Sequence, residues 1–388
     1  MTSDSNTADE PNVADEHRAR YVMIGGFLGA GKSTAVGKLA RRYHDAGLKV
    51  GLITNDQGRG LVDTQKLRHQ GFSVEEIAGG CFCCRFDSLK TAAERLTEAE
   101  RPDVFVAEPV GSCTDLVATV SYPLRRLYGD RFDVAPLSVM MDPVRASRIL
   151  GLETGRKFSP KVSYVYLKQL EEANVLVINK TDLMDAERRQ VLRAELARRW
   201  PDKAIFEVSA QDGDGLDAWF DYVGERSIPS TPTLEMDYKT YAEGEALLGW
   251  LNATLRLDAP SELDGNAWTS QLAVDLQKEL HDSEVAHLKM TLAPDSGPGD
   301  LGVGDLAIVH FVGEHVVPEL AERLNGPVTG AQLVVNLRAE APPAELRRAL
   351  DAVVAARPEL SLDHVECFEP SPPTPTHRLS AEGDACAW

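Results

Sequence analysis

No run in this 388-residue chain approaches the ~20 consecutive apolar residues that a membrane-spanning helix requires. Positive charge is also in short supply: 41 Lys and Arg stand against 60 Asp and Glu, leaving a formal charge of −19. That excess repels a phosphate backbone and an anionic lipid surface alike, so nucleic acid and membrane are excluded as expected partners. Cysteine is scarce, six residues in all. Three of them crowd together at Cys81, Cys83 and Cys84, which suits a reducing cytoplasm and not a disulfide framework. Residues 1–18 have neither the apolar stretch of a signal peptide nor an arginine-rich amphipathic face, and read as a disordered acidic tail. Internal repeats and low-complexity tracts are missing. The length suits two domains, each large enough to bury its own core.

Residues 26–33 read Gly-Phe-Leu-Gly-Ala-Gly-Lys-Ser. The apolar, β-branched run Tyr21–Ile24 before them has the character of a buried parallel strand. After them, Val36, Leu39, Ala40 and Tyr43 recur at helical spacing up to a stop at Gly47. A glycine-rich turn between strand and helix is the setting of a phosphate-binding P-loop. Gly26, Gly29, Ala30 and Gly31 would curl the backbone so that successive N–H groups face one point, where the helix start adds positive potential. Lys32 would reach the β- and γ-phosphates, Ser33 would ligate Mg²⁺, and Thr34 would complete the cradle. An ordinary glycine-rich turn with a chance lysine is the bland alternative, which the flanking elements disfavour.

The base follows from a second motif. The apolar strand Val175–Ile178 delivers Asn179-Lys180-Thr181-Asp182. The Asp182 carboxylate can take two hydrogen bonds from the N1–H and N2–H₂ edge of guanine, donors that adenine lacks in that pair. Asn179 would brace the loop and Lys180 would lie along the base. Ser209 and Ala210, after the strand-like Ala204–Glu207, could present backbone N–H groups to the guanine oxygen. GTP is favoured over ATP.

Between these motifs, Leu52–Thr54 reads as a strand ending near Asp56, and Val104–Ala107 as one ending at Glu108-Pro109-Val110-Gly111. Asp56 and Glu108 are candidates to hold Mg²⁺ or orient the attacking water, and with Lys32 they form the expected catalytic set. Either acid could instead be a cap or a solvated loop charge. No side chain is an obvious general base, which phosphoryl transfer tolerates because positioning and charge neutralisation dominate it.

Ala78-Gly79-Gly80-Cys81-Phe82-Cys83-Cys84 is expected between the second and third strands. Three soft thiolates so close can share one ion without long loop closure. Zn²⁺ would bind them, with Co²⁺, Fe²⁺ and Cu⁺ also admitted by thiolate softness, and affinity should fall in acid as the thiols reprotonate. Arg85 could lower a thiol pKa for metal or redox chemistry. Three structural cysteines, or a redox pair at Cys83 and Cys84, are the competing readings. Cys113 could in principle be a fourth ligand, but a small buried thiol is the plainer reading.

Gly-Gly-Phe-Leu-Gly-Ala-Gly-Lys-Ser-Thr at 25–34, Cys-Phe-Cys-Cys at 81–84, Glu-Pro-Val-Gly at 108–111 and Asn-Lys-Thr-Asp at 179–182 together resemble the CobW family. These are metal-centre GTPases related to the UreG and HypB nickel insertases. The resemblance spans about 19–225 and implies a GTPase metallochaperone: GTP–Mg²⁺ would order the switches and assemble the thiolate site, and hydrolysis would release the ion to a client metalloprotein. It implies slow intrinsic hydrolysis, open to stimulation by a partner. Two departures stand out. Asn55-Asp56-Gln57-Gly58-Arg59-Gly60 replaces the family's usual Asn-Glu-Phe-Gly, and the histidine-rich loop of many members is missing. A GTPase that loads or protects a corrinoid cofactor enzyme, with structural cysteines, is the alternative function; a thiol redox sensor is the third.

The expected fold class is α/β: a doubly wound parallel-sheet P-loop GTPase domain over 19–226, then a smaller α+β domain over 240–370. The boundary falls at the proline-interrupted stretch near 226–240. Beyond it, Leu251, Ala253, Leu255 and Leu257 alternate, as do Leu288, Met290 and Leu292, so one face of a second sheet is buried. A βαββαβ, ferredoxin-like order is expected there, with residues 371–388 as a tail. That sheet is a docking surface in prospect, for a client or a second copy of the chain. His364, Cys367 and His377 are read as separate core and surface residues, because positions three apart on a strand point to opposite faces. His281, His287, His310 and His315 show no binding spacing.

Overall fold

The structure, a computed structural model, describes residues 18–56, 67, 71–295, 305–313 and 317–386. The expected tail 1–18 therefore falls outside it except for Arg18, as does His315.

The first sheet contains β1 (Ala19–Gly26), β2 (Val50–Asp56), β3 (Ser73–Ala78), β4 (Val104–Glu108), β5 (Phe132–Val134), β6 (Ser138–Met141), β7 (Val175–Ile178) and β8 (Ala204–Glu207). Its strand order is β3-β2-β4-β1-β6-β7-β8, with β5 also pairing β1, and every pair is parallel. Helices cover both faces, so the central strands are continuous apolar runs: Val22 and Ile24 pack one side, Tyr21 and Met23 the other. This is the doubly wound parallel sheet expected. The carboxyl ends of β1, β2, β4 and β7 lie along one edge, where loops of such sheets bind ligands.

Two short strands differ from the reading of the sequence. β3 carries Glu75 and Glu76 and forms an edge of the sheet, so it lacks the apolar run that marks a central strand. Its presence moves the cysteine loop, which follows the third strand rather than the second. β5 is only three residues long. The Pro143–Leu150 helix, capped by Asp142 accepting from Arg145 N, is likewise additional to the expected elements.

After residues 227–237, which have no regular structure, the Tyr238–Ala246 helix leads into the second sheet. It comprises β9 (Leu248–Leu263), β10 (Glu284–Pro294), β11 (Ala307–Phe311), β12 (Glu319–Glu322), β13 (Val328–Glu340) and β14 (Leu360–Phe368). The order is β12-β11-β10-β13-β9-β14, all antiparallel. The run β10-β13-β9-β14 is compatible with a ferredoxin-like βαββαβ core, extended at one side by β11 and β12. Leu251, Ala253, Leu255 and Leu257 are buried beneath the Gly265–Glu279 and Pro343–Ala355 helices, as the period-2 alternation dictates.

The two sheets are bolted together beside the P-loop. Buried Arg145 donates to Leu28 O at 2.7 Å and to Val285 O and Ala286 O, both at 3.0 Å, and its guanidinium lies over the Phe158 ring at 5.0 Å. Residues 371–386, expected as a tail, return across the first domain. Leu379 N donates to Ala118 O at 2.9 Å, and Arg378 pairs with Asp115 at 2.8 Å. Among the described residues, no helix is long and apolar enough to cross a membrane.

Candidate functional site

Lys32 begins the Lys32–Asp45 helix, directly after a turn in which Gly26, Gly29 and Gly31 have φ of 132°, 78° and 92°. At Gly31 a Cβ would sit 2.2 Å from Asn179 Nδ2, so only glycine fits. The Lys32 ammonium is buried and folded back toward Phe27 O at 3.4 Å, where an incoming triphosphate would draw it out. The Ser33 hydroxyl donates to Glu108 Oε1 at 2.9 Å. Two hard oxygen donors therefore stand together at the P-loop, the donor chemistry that Mg²⁺ takes. The residues fit the ion. Asp56 ends β2, and its side chain lies outside the described part of the structure.

The guanine motif is attached to the same loop. Asn179 Nδ2 donates to Ala30 O at 2.8 Å, while its Oδ1 accepts from Ala210 N at 2.9 Å. Ser209 N donates to Asp214 O at 3.0 Å. Both backbone groups expected to face guanine are thus engaged, and either must exchange its partner to serve a base. Lys180, at φ 55°, pairs with Asp142 at 3.1 Å rather than lying open. Asp182, Ala210, Lys32, Ser33 and Thr34 line one cavity of about 480 Å³, within the usual range for a small-ligand site.

The far wall of that cavity belongs to the second sheet: His287 and Lys289 on β10, His310 on β11 and Glu319 on β12. Lys289 is in register with His310, and the His287 and His310 rings are 6.4 Å apart. Burial, with cationic neighbours including His310 and Lys289, holds the His287 imidazole well below its ordinary pKa. The sequence offers no sign of this wall, because cross-strand register, not spacing, brings the groups together.

Cys81, Cys83 and Cys84 lie in the loop between β3 and the Phe86–Glu100 helix, and their sulfurs all fall within 4.8 Å of one another. The separations are 2.8 Å for Cys81–Cys83, 3.1 Å for Cys81–Cys84 and 3.7 Å for Cys83–Cys84. Sulfurs around a tetrahedral Zn²⁺ at about 2.3 Å stand about 3.8 Å apart. One pair already matches and the others need to open by an ångström or less. Cys81 and Cys83 are buried and Cys84 half-buried. All the cysteines are free. Arg85 donates to Gly79 O at 3.1 Å, which shapes the loop.

Cys113 lies near the group. It is fully buried and interacts electrostatically with Cys81 and Cys83, but stands outside the three thiols gathered within 4.8 Å. Donation from Cys113, Cys83 and Cys84 holds the Cys81 thiol well below its ordinary pKa. Bonds to Cys113, Cys81 and Cys84, together with burial, raise Cys83, and burial raises Cys113. Cys84 is pushed up to about 11, chiefly by its bond to Cys81. His364, Cys367 and His377 do not form a comparable cluster among the described residues; the His377 ring packs edge-on to Phe86 at 4.9 Å.

Backbone connects this cluster to the nucleotide cavity. Asn55, beside Asp56 on β2, donates from Nδ2 to Ile77 O at 2.9 Å and Gly80 O at 2.6 Å, so the end of β2 grips the start of the cysteine loop. From Glu108 the chain passes Gly111, where a Cβ would lie 2.9 Å from Leu28 N of the P-loop. The next turn is fixed by buried groups. Gln169 Nε2 donates to Gly111 O and Cys113 O at 2.9 and 2.8 Å. Glu172 accepts from Thr114 Oγ1 at 3.1 Å and Val117 N at 3.3 Å.

Burial raises the Glu172 carboxyl to about 8. A group with a raised folded pKa contributes stability that is complete below its unfolded value and lost as pH rises through the folded one. Stability should therefore decline from about pH 4.5 toward pH 8 on account of this residue. Chemical denaturation across that window should show a flatter pH dependence for Glu172→Gln than for the parent. An unchanged slope would assign the decline to other groups.

A parallel sheet, a glycine cradle joined to Asn179, and a serine–carboxylate pair have the form of a P-loop nucleotide-binding site. Residues 20–207 match the model of the CobW/HypB/UreG nucleotide-binding domain. The chain is 27% identical over 220 residues to the zinc chaperone CobW of a Sinorhizobium species, covering 52% of this chain and 61% of that one. It is 25% identical over 194 residues to the zinc-regulated GTPase metalloprotein activator 1 of Dictyostelium discoideum, covering 43% and 40%. The chain thus spans about three fifths of the first relative and two fifths of the second. The solved structure of the hydrogenase maturation factor HypB from Archaeoglobus fulgidus is 20% identical, covers 54% of this chain and 90% of its own, and has a TM-score of 0.38.

Proposed function

We propose that this chain is a GTP-hydrolysing metallochaperone, with residues 19–226 as its nucleotide unit and 240–370 as a second unit that walls the cavity. Asp182 selects guanine, Asn179 ties the base loop to the P-loop, and Lys32 neutralises the β- and γ-phosphates. Ser33 and Glu108, with Asp56, would hold Mg²⁺, which would supply positive charge against the charge that develops in phosphoryl transfer. Cys81, Cys83 and Cys84 carry a thiophilic ion, Zn²⁺ foremost and Co²⁺ or Fe²⁺ next, for delivery to a client metalloprotein. The names of the two curated relatives, a zinc chaperone and a zinc-regulated GTPase, support this reading.

The observation that carries it is the gathering of three free thiols within 4.8 Å on a loop that Asn55 binds to the nucleotide end of β2. Such clustering serves ion binding far better than burial alone. Zinc titration of the full chain against a competing chelator, with GTP–Mg²⁺, GDP–Mg²⁺ or no nucleotide, is the test. One ion per chain is expected, held most tightly with GTP. Cys83→Ser should weaken zinc binding by on the order of 100-fold, comparable to the larger ligand-shell effects in zinc proteins, and leave GTP affinity within about twofold. Equal zinc affinity in all three nucleotide states would refute the reading.

A further inference from the structure

We infer that Lys289, on the second sheet, binds the phosphate chain of the nucleotide from the side opposite the P-loop, so that the two domains hold one nucleotide between them. The inference rests on the nucleotide half of the reading above and deepens it.

The placement follows from how the second sheet disposes its two faces. An antiparallel sheet commonly packs one face on a core and turns the other to water. On β10, Leu288, Met290 and Leu292 are buried in the second core, so His287 and Lys289 belong to the opposite face. At β10, β11 and β12 that face does not meet open water. It stands across the cavity from Lys32, Ser33 and Asp182. The seat is fixed at the P-loop. A Cβ on Gly29 would lie 3.0 Å from Ala286 O and closer still to a methyl of Val312, so β10 and the residue after β11 press directly on the phosphate turn. Arg145 ties Leu28 O to Val285 O and Ala286 O. Lys289 lies three residues beyond Ala286, roughly 10 Å of extended strand, and is in register with His310 on β11. Strand geometry, not a loop, sets its distance from the phosphate turn.

Charge points to an anion. Acidic residues outnumber basic ones 60 to 41 in the chain, yet the described residues lining the cavity include five Lys or Arg and only three Asp or Glu. Of those three, Asp182 is the base-reading carboxylate, and Glu319 pairs with His310 at 3.2 Å. The positive surplus stands on both walls, with Lys32 at the turn and Lys289 opposite. An ammonium is a compact point charge with three donors, which suits phosphate oxygens and makes no distinction between bases. The contact is to phosphates that GTP and GDP share. It therefore strengthens the binding of both and leaves the choice of base to Asp182.

The test compares the binding of GTP, GDP and guanosine to the full chain in the presence of Mg²⁺. Lys289→Met keeps the apolar stem and removes the charge. GTP and GDP affinities should both fall by about 10–100-fold, the worth of one hydrogen bond to a charged group, while guanosine affinity stays within about twofold. Lys289→Arg, which keeps the charge, should retain most of the parental affinity. In the parent chain, GDP should protect Lys289 from an amine-acylating reagent, read by mass spectrometry, and guanosine should not; this arm depends on no variant. GTP and GDP affinities of Lys289→Met within about twofold of the parent, far short of that loss, would overturn the inference, as would acylation of Lys289 that is indifferent to GDP. If Lys32→Ala weakens GTP binding in the same series, only Lys289 falls. If the parent chain itself binds no GTP, the GTPase reading falls with it.

Discussion

Lys32→Ala is expected to slow GTP hydrolysis by about 10²–10³-fold, the usual loss when one charge-stabilising group leaves a transition state. The reason lies in what the cavity offers a triphosphate. Its phosphate end is built from backbone N–H groups and the start of the Lys32–Asp45 helix, which supply partial charges. Among the described residues, the ammonium buried at the turn is that of Lys32, and phosphoryl transfer depends on neutralising charge more than on covalent help. Lys180 cannot substitute, since it is paired with Asp142 at the base end. The same variant should abolish the difference in zinc affinity between GTP and GDP while the ion still binds, because the cysteine loop is left intact. Single-turnover hydrolysis beside a zinc titration would show both effects. Hydrolysis within about threefold of the parent, well short of that loss, would mean that another cation serves the γ-phosphate, and Lys289 on the opposite wall would be the first to examine.

The parts of the molecule readable from sequence are those in which local pattern and tertiary role coincide. β1, β4, β6 and β7 are buried on both faces, so their apolar runs are unbroken. β9 and β10 are buried on one, so Leu251 to Leu257 and Leu288 to Leu292 alternate. The P-loop and Asn179-Lys180-Thr181-Asp182 are local signatures, and each fell beside the strand that positions it. What was not legible depends on contacts between distant segments. β3 and β12 are edge strands rich in glutamate, stabilised by pairing and not by burial. The His287–His310 wall needs the β10–β11 register. The segment from Pro370 on, with prolines at 370, 372, 373 and 375, reads as an exit from the fold.

That segment instead straps the cysteine loop, and Arg378 is what holds it. Thr374 N donates to Cys84 Sγ at 3.1 Å and Thr376 N to Cys83 O at 2.9 Å. Two residues further, the Arg378 guanidinium meets the Asp115 carboxylate at 2.8 Å, with side-chain exposures of only 7% and 1%. Tyr238 donates to the same carboxylate at 2.6 Å. Burial alone would push the Asp115 carboxyl up, and its pKa is raised even with these partners, so loss of Arg378 leaves a carboxylate with too little to offset its desolvation. Breaking such a buried pair costs about 3–5 kcal/mol, and Arg378→Met keeps the side-chain length while removing the charge. We expect the strap to detach. Amide exchange at Thr374 and Thr376 should accelerate, and Cys84, the half-buried thiol of the cluster, should be alkylated faster. Adding Asp115→Asn should recover much of the lost stability, because asparagine tolerates the φ of 63° at this position and keeps an acceptor for Tyr238. A single variant that costs under about 1 kcal/mol, the range of an exposed ion pair, with Cys84 alkylation unchanged, would show that packing and not this ion pair fastens the strap.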